Sequence, residues 1–449
     1  VCIMYPGALQ LPGADIAEFL RRAAVWARSP EYVLTACPGF TLIESVVFVL
    51  AGGSPLMQAF LALLNINIVL AFFLAMKALF DRSDQRLPLI ATLLFSCSSG
   101  FGWFFVISRL ITGHQESFFE VLRAAWAGTY IDIPQGGIFE YLLWFRPRSL
   151  ALILLFLLLY TIADEEFRGP KALMSMTMMV VVLFLVHAAE LVLLVFSLVL
   201  LSLIKPVFRA GVRRFFMSIL CSWVFVVPLY LASWAYGMER MASMMPISLM
   251  ALLSAASLVG LLALKFRPRR VFPLNLGKLR EPIALFSSIA FITALLAWLE
   301  QAQDFSFSMT NGLDFFPWFF YSTYFGMIGV LALVWLWRGH ERTHDGITLL
   351  LCLVVCCLVA GRSISMINTS LFYTDYQEWR LAKYSVMFSF PLAAMGLLTI
   401  ARFLHRRYQG RVKEDLLPAI LVSIVVVGSF TSTAYSLEYW TLRLSRSEV

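Results

Sequence analysis

Charge is scarce in this chain. Asp, Glu, Lys and Arg make up 14% of its 449 residues, against about 25% in an average soluble domain. Hydrophobic residues take 60%, more than a water-soluble fold can hide. That balance excludes a soluble enzyme, a disordered chain and a nucleic-acid-binding domain. The net charge of +8 does not reverse the last exclusion, because the basic residues sit in short clusters between apolar runs, as cytoplasmic loops require. Strand-like alternation, internal repeats and low-complexity tracts are missing, and so are a signal peptide and a lipidation motif. No CxxC pair exists. Of the seven cysteines, Cys97, Cys221, Cys352, Cys356 and Cys357 lie inside apolar runs, where Cys behaves as a small hydrophobe. Cys2 and Cys37 flank the first polar loop, either as free thiols or as a bridge in an oxidising compartment.

What is abundant is long apolar runs, at about 56–80, 88–112, 142–163, 172–204, 216–236, 242–264, 283–300, 316–337, 347–361, 385–403 and 416–435. A helix needs roughly 17–25 residues to cross the hydrocarbon core. The reading is an all-α polytopic membrane protein with about 11–13 spans. Segment 1–40 is an extracytoplasmic loop, 41–436 the multi-span domain and 437–449 a short tail. Run 41–52, ending at Gly52-Gly53-Ser54-Pro55, is too short to assign, and the orientation of 41–141 depends on it.

Loop charge orients the rest. Basic clusters at 205–214, 265–282, 338–346 and 402–415 alternate with loops at 237–241, 301–315 and 362–384 that are poorer in Lys and Arg. The positive-inside rule puts the basic set in the cytoplasm. Run 172–204 breaks the count. Its 33 residues would span about 50 Å as one helix, and both flanks are basic. Either it is a hairpin of two short helices with His187 and Glu190 near its tip, or it is one tilted helix.

Several groups carry candidate chemistry. From Asp15 to Arg28 the spacing of Ile16, Phe19, Leu20, Ala23 and Ala27 predicts an amphipathic helix lying in the membrane interface. Asp15 and Glu18 share a face there. They are either a capping pair, with Asp15 as N-cap, or a catalytic pair. Arg380 and Lys383 sit three apart in an extracytoplasmic segment, with Arg362 at the mouth of the preceding span. They suit a phosphate, which Arg grips bidentately, or they pair with Asp375 and Glu378. His187 and Glu190, three apart inside an apolar run, either line a cavity or pair with each other. His114 and Glu116 are acceptable ligands for a divalent metal such as Mn or Zn, or belong to a solvated loop that shows no DxD. Asn65 and Asn67 suit helix–helix hydrogen bonds. The aromatics of Phe315–Tyr324 suit an interfacial belt.

The stretch Tyr5-Pro6-Gly7 to Asp15-Ile16-Ala17-Glu18, then Pro38-Gly39-Phe40, resembles the start of GT-C fold glycosyltransferases. Glu378-Trp379-Arg380-Leu381-Ala382-Lys383-Tyr384 before a span containing Pro391 resembles the Arg-then-Tyr segment of their late helix. The resemblance implies a polytopic enzyme that takes a sugar from a polyprenyl-phosphate donor at the extracytoplasmic face. It implies an essential acid in the first loop, matched by Asp15, and a transmembrane helix upstream of Val1. Arg380, Lys383 and Arg362 would hold the donor phosphate, His187, Glu190 and Tyr384 would line the cavity, and a divalent metal is a conceivable cofactor. The expected partners are the lipid-linked sugar and membrane lipid, with no nucleic acid, and the expected location is a multi-pass site in the plasma membrane or its equivalent. The competing function is a transporter or flippase for a lipid-linked or small polar substrate, which would usually show inverted repeats and broken helices near the midplane.

Overall fold

A computed structural model describes residues 64–80, 86–97, 147–235 (except 206), 247–266, 276–301, 320–338, 345–367, 374–408 and 416–426, with isolated positions at 43, 45, 46 and 49. Among the described residues every regular element is an α-helix: α1 (Ile66–Phe80), α2 (Arg86–Cys97), α3 (Pro147–Ala163), α4 (Gly169–Val186), α5 (Ala188–Ile204), α6 (Arg209–Cys221), α7 (Trp223–Ala235), α8 (Ile247–Phe266), α9 (Leu276–Gln301), α10 (Phe320–Arg338), α11 (Asp345–Ile367) and α12 (Thr374–Arg407). A short apolar helix follows at Leu416–Val426. The chain is an all-α polytopic membrane protein. Five described segments are long and apolar enough to cross a bilayer, and seven shorter apolar helices accompany them. The helices are apolar nearly all round, and large side chains such as Phe286, Val224 and Met366 stay exposed. That is costly in water and natural against lipid.

The chain divides into two compact units. The first contains α1 and α3 to α8. Here α3 packs on α4, α4 on α6, α5 on α8 and α6 on α8. Phe72 of α1 meets Phe156 of α3 edge to face at 5.1 Å. Helices α6 and α7 form one span, Arg209–Leu231, running through Ser222 with helical backbone angles. Arg209, Arg213 and Arg214 therefore belong to its first turns rather than to a loop, because long basic side chains reach out of the helix end toward water. The Trp223 indole donates to Ser254 at 2.7 Å and ties α7 to α8.

The long run folds back on itself. Helix α4 ends at Val186, α5 begins at Ala188, and His187 between them is extended (φ −165°, ψ 95°). A Cβ on Gly211, near the start of α6, would lie 1.9 Å from the Ile162 carbonyl at the end of α3. Arg168 is close enough to Arg214 for their charges to repel, and Arg209 donates to the Leu264 carbonyl at the end of α8. The start of α4 and the end of α5 thus share the basic end of this unit, which leaves His187 at the apex of a hairpin. Its legs have 18 and 17 residues, about 26 Å each, and they splay, each packing mainly on other helices.

The second unit contains α2 and α9 to α12, with α12 at its centre against α10, α11 and α2, and α9 against α10. At 34 residues, α12 is about 51 Å long and outruns the ~30 Å core at both ends. Residues 374–384 and 402–407, expected in loops, are its first and last turns. Phe390 lies edge to face with Phe95 at 5.6 Å. Gly396 lets α10 and α12 meet backbone to backbone: a Cβ there would fall 1.8 Å from the Leu331 carbonyl oxygen. Gly396→Val is expected to force these helices apart. Overpacking costs about 1–3 kcal/mol and more when backbone must move, so the detergent-solubilised variant should unfold at a clearly lower temperature. An unchanged unfolding temperature would show that α10 and α12 do not approach this closely.

The ends of this unit sort by charge. Arg338, closing α10, lies over the Phe403 ring near the end of α12 at 5.2 Å. At the other end Tyr321 of α10, Arg362 of α11 and Glu378 of α12 meet. The positive-inside rule assigns the Arg338 end to the cytoplasm. Cysteines placed at Met366 and Tyr408, 77% and 58% exposed, should react with a membrane-impermeant maleimide from opposite sides, in a background without Cys2, Cys37 and Cys97. Labelling of both from one side would reject this topology.

Candidate functional site

The end of the second unit opposite Arg338 gathers a buried polar cluster from three helices. Glu378, in the first turns of α12, is 0% exposed. Its Oε1 accepts from the Tyr321 hydroxyl at 2.7 Å and from Arg362 Nη2 at 2.9 Å. The Arg362 guanidinium also lies 5.7 Å from the Tyr321 ring centre, within cation–π range. Gly361 makes this approach possible. A Cβ at that position would already touch Leu381 Cβ at 3.3 Å and Glu378 Cγ at 3.5 Å, so α11 lies close against α12 where Arg362 must reach the carboxylate. The second oxygen, Oε2, is buried without a hydrogen-bond partner among the described residues.

The basic residues picked out in the sequence are all at this end, on two faces. Successive residues of an α-helix turn by about 100°. Arg380 and Lys383 therefore project about 60° apart on α12, with Tyr384 about 40° from Arg380 on its other side, while Glu378 points about 160° from Arg380. Arg362 joins the Glu378 face. Lys383 and Tyr384 are each only 2% exposed, whereas the Arg362 side chain keeps 29% of its surface. Pairing of the basic residues with Glu378, left open by the sequence, is realised by Arg362, which comes from another helix.

In the first unit His187 Nδ1 and Glu190 Oε2 lie 2.5 Å apart at the hairpin apex. Glu190 is 0% exposed and the His187 side chain 15%. Glu190 also occupies the first turn of α5, where a negative charge is stabilised by the helix dipole. These two residues pair with each other. Asn67 bonds locally to the Leu64 carbonyl at 2.8 Å and, among the described residues, to no other helix.

Asp15, Glu18, His114 and Glu116 lie outside the described residues, as do the segment expected to form the first-loop helix and the cysteines Cys2 and Cys37. Among the described residues no three His, Cys, Asp or Glu side chains converge as a metal site.

Tyr321 entered the sequence reading only as one aromatic of an interfacial belt, and Glu378 as a partner for the basic residues and as the start of the Glu378–Tyr384 segment. The adjacent Gly361-Arg362 was the available signal, a small residue beside a charge at a span mouth. Nothing in the sequence links positions 321, 362 and 378 before the helices pack. Compared with known proteins, the chain matches no family model, no curated protein and no solved structure.

Proposed function

We propose that this protein is a multi-pass membrane glycosyltransferase, sited in the plasma membrane or its equivalent, that transfers a sugar from a polyprenyl-phosphate donor to an acceptor at the extracytoplasmic face. One observation carries the reading most. At one end of α11 and α12 three cations gather: Arg362, paired with Glu378, and Arg380 and Lys383 on another face of α12. A cluster of guanidinium and ammonium groups at a membrane surface suits an anion with several oxygens, and a lipid phosphate is such an anion. Arg380 and Lys383 on one face of α12 hold the phosphate and stabilise it as it leaves. Asp15, with Glu18 beside it, orients or accepts the acceptor proton. Tyr384 lies on the Arg380–Lys383 face. His114 and Glu116 would hold a divalent metal if one takes part, and no step here is routed through it.

Purified protein in nanodiscs, given undecaprenyl phosphate bearing glucose or mannose, is expected to consume the donor slowly by hydrolysis or rapidly with a suitable acceptor. Arg380→Ala should abolish turnover or raise the donor KM, since removing one partner of a desolvated charge pair costs about 2–5 kcal/mol in comparable interfaces. A folded Arg380→Ala protein with unchanged donor KM and kcat would remove Arg380 from the phosphate site.

A second reading, transport of a lipid-linked or small polar substrate, draws on the broken helices. The chain turns at His187 beside a buried Glu190, and α10 loses helical geometry at Gly326. Flux of intact donor across proteoliposomes without transfer would favour it over the enzyme.

A further inference from the structure

The basic end of the first unit carries more positive charge than its own acids answer. The close approach of Gly211 to Ile162 sets the turn between α3 and α4 against the first turns of α6. Arg168 and Lys171 open α4, and Arg209, Arg213 and Arg214 open α6. The same turn holds three carboxylates, Asp164, Glu165 and Glu166. Among the described residues none of these acids forms an ion pair with any of the five cations. Asp164 instead accepts from the Tyr160 hydroxyl and from the Glu166 backbone amide at 2.9 Å.

Two of the cations are held together against their charge. Arg168 acts on Arg214 more strongly than Asp164 does, so the two guanidiniums repel on balance. Arg214 Nε reaches the Ala210 carbonyl at 3.3 Å, and its Nη1 is buried without a hydrogen-bond partner among the described residues. Cations gathered in this way gain when an anion with several oxygens lies against them.

What lies directly below the cations selects the anion. Lys171, Met174 and Met178 follow helical spacing on α4, and all three are exposed. Arg209, Arg213 and Met217 do the same on α6, and Val224 continues the line into α7. Helices α4 and α6 pack on each other, so the two stripes run down neighbouring helices. Each begins with charge at the membrane surface and continues with bare apolar side chains into the hydrocarbon core. A soluble phosphate would use the charge and leave the stripes unused. A phospholipid with a negative headgroup uses both. The basic end is the cytoplasmic one, and the leaflet there carries anionic lipid, which basic pockets between spans bind.

We propose that the basic end of the first unit is a binding site for an anionic phospholipid of the cytoplasmic leaflet, its phosphate held by Arg168, Lys171 and the three arginines of α6, and its acyl chains lying along α4 and α6. The proposal does not depend on the glycosyltransferase reading.

Native mass spectrometry of the whole chain in detergent, titrated with dioleoylphosphatidylglycerol or dioleoylphosphatidylcholine, tests it. Wild type is expected to bind phosphatidylglycerol about tenfold more tightly, or better. Lys171→Gln/Arg213→Gln removes two exposed cations that make no hydrogen bond or ion pair among the described residues, so the fold should be kept. The preference should fall by about tenfold, the usual effect of two basic residues at an anionic surface. Arg406→Gln/Arg407→Gln, at the exposed end of α12, removes the same charge elsewhere and should leave the preference unchanged. Equal losses in the two double variants mean diffuse attraction and overturn the site, as does wild type that binds both lipids alike. Displacement of bound phosphatidylglycerol by millimolar glycerol 1-phosphate would assign the cations to a soluble phosphate and overturn the lipid as occupant.

Discussion

Arg362→Met is expected to destabilise the protein far more than Glu378→Gln, although both break the same ion pair. The asymmetry follows from where each partner is left. Glu378 is fully enclosed, so without Arg362 its charge keeps only the Tyr321 hydroxyl among the partners shown. Breaking a buried pair from that side costs about 3–5 kcal/mol. Arg362 keeps 29% of its side-chain surface. Without Glu378 it can turn its guanidinium toward the interface on its flexible stem, and glutamine still accepts from Tyr321. The double variant Arg362→Met/Glu378→Gln should recover much of what Arg362→Met alone loses, because no buried charge remains. Unfolding temperatures of the three variants in one detergent measure this. Equal losses for the two single variants would mean that Glu378 is hydrated or neutral, and would contradict the enclosed geometry.

Asp15→Asn is expected to remove transfer while leaving the fold intact. Asparagine is among the best N-cap residues, so an Asp15 that only capped the helix expected from the sequence would tolerate the change with little loss of stability. A carboxylate that orients or accepts the acceptor proton would not. Loss of a general base typically costs 10²–10⁴-fold, and the amide, of the same shape, cannot take the proton. The measurement is kcat with saturating donor, beside the unfolding temperature. Normal turnover in a well-folded Asp15→Asn protein removes Asp15 from catalysis and leaves Glu18 as the remaining acid of that pair. The effect is separable from donor recognition. Asp15→Asn should lower kcat with donor binding unchanged, whereas Arg380→Ala should act on donor binding as well.

The sequence alone determined the class of this protein and narrowed run 172–204 to a fold-back near His187 or one tilted helix, of which the structure shows the first. Both depend on quantities that add up along the chain: apolar length against bilayer thickness, and the sign of charge at the ends of each run. Basic flanks on both sides of 172–204 required an even number of crossings, and the structure turns the chain within one residue of the expected place. Helix ends were less legible. Lys383 and Arg402 look like loop residues by charge, yet they sit inside the 34-residue α12. A helix held at the centre of a bundle has its backbone bonds satisfied wherever it runs, and long basic side chains need only their tips near water.

Only the tertiary structure decided the site. Arg362, Arg380 and Lys383 were visible as cations near one membrane face, but their division between two faces of α12 follows from helix phase and packing. The cluster of Tyr321, Arg362 and Glu378 depends on three helices approaching closely enough for a 2.7 Å and a 2.9 Å bond to share one oxygen. Gly361 and Gly396 permit that approach. Periodicity reports which residues avoid water and says nothing of which helix will stand beside which. The pairing of groups 16 and 57 residues apart, Glu378 with Arg362 and with Tyr321, is a property of the packed bundle.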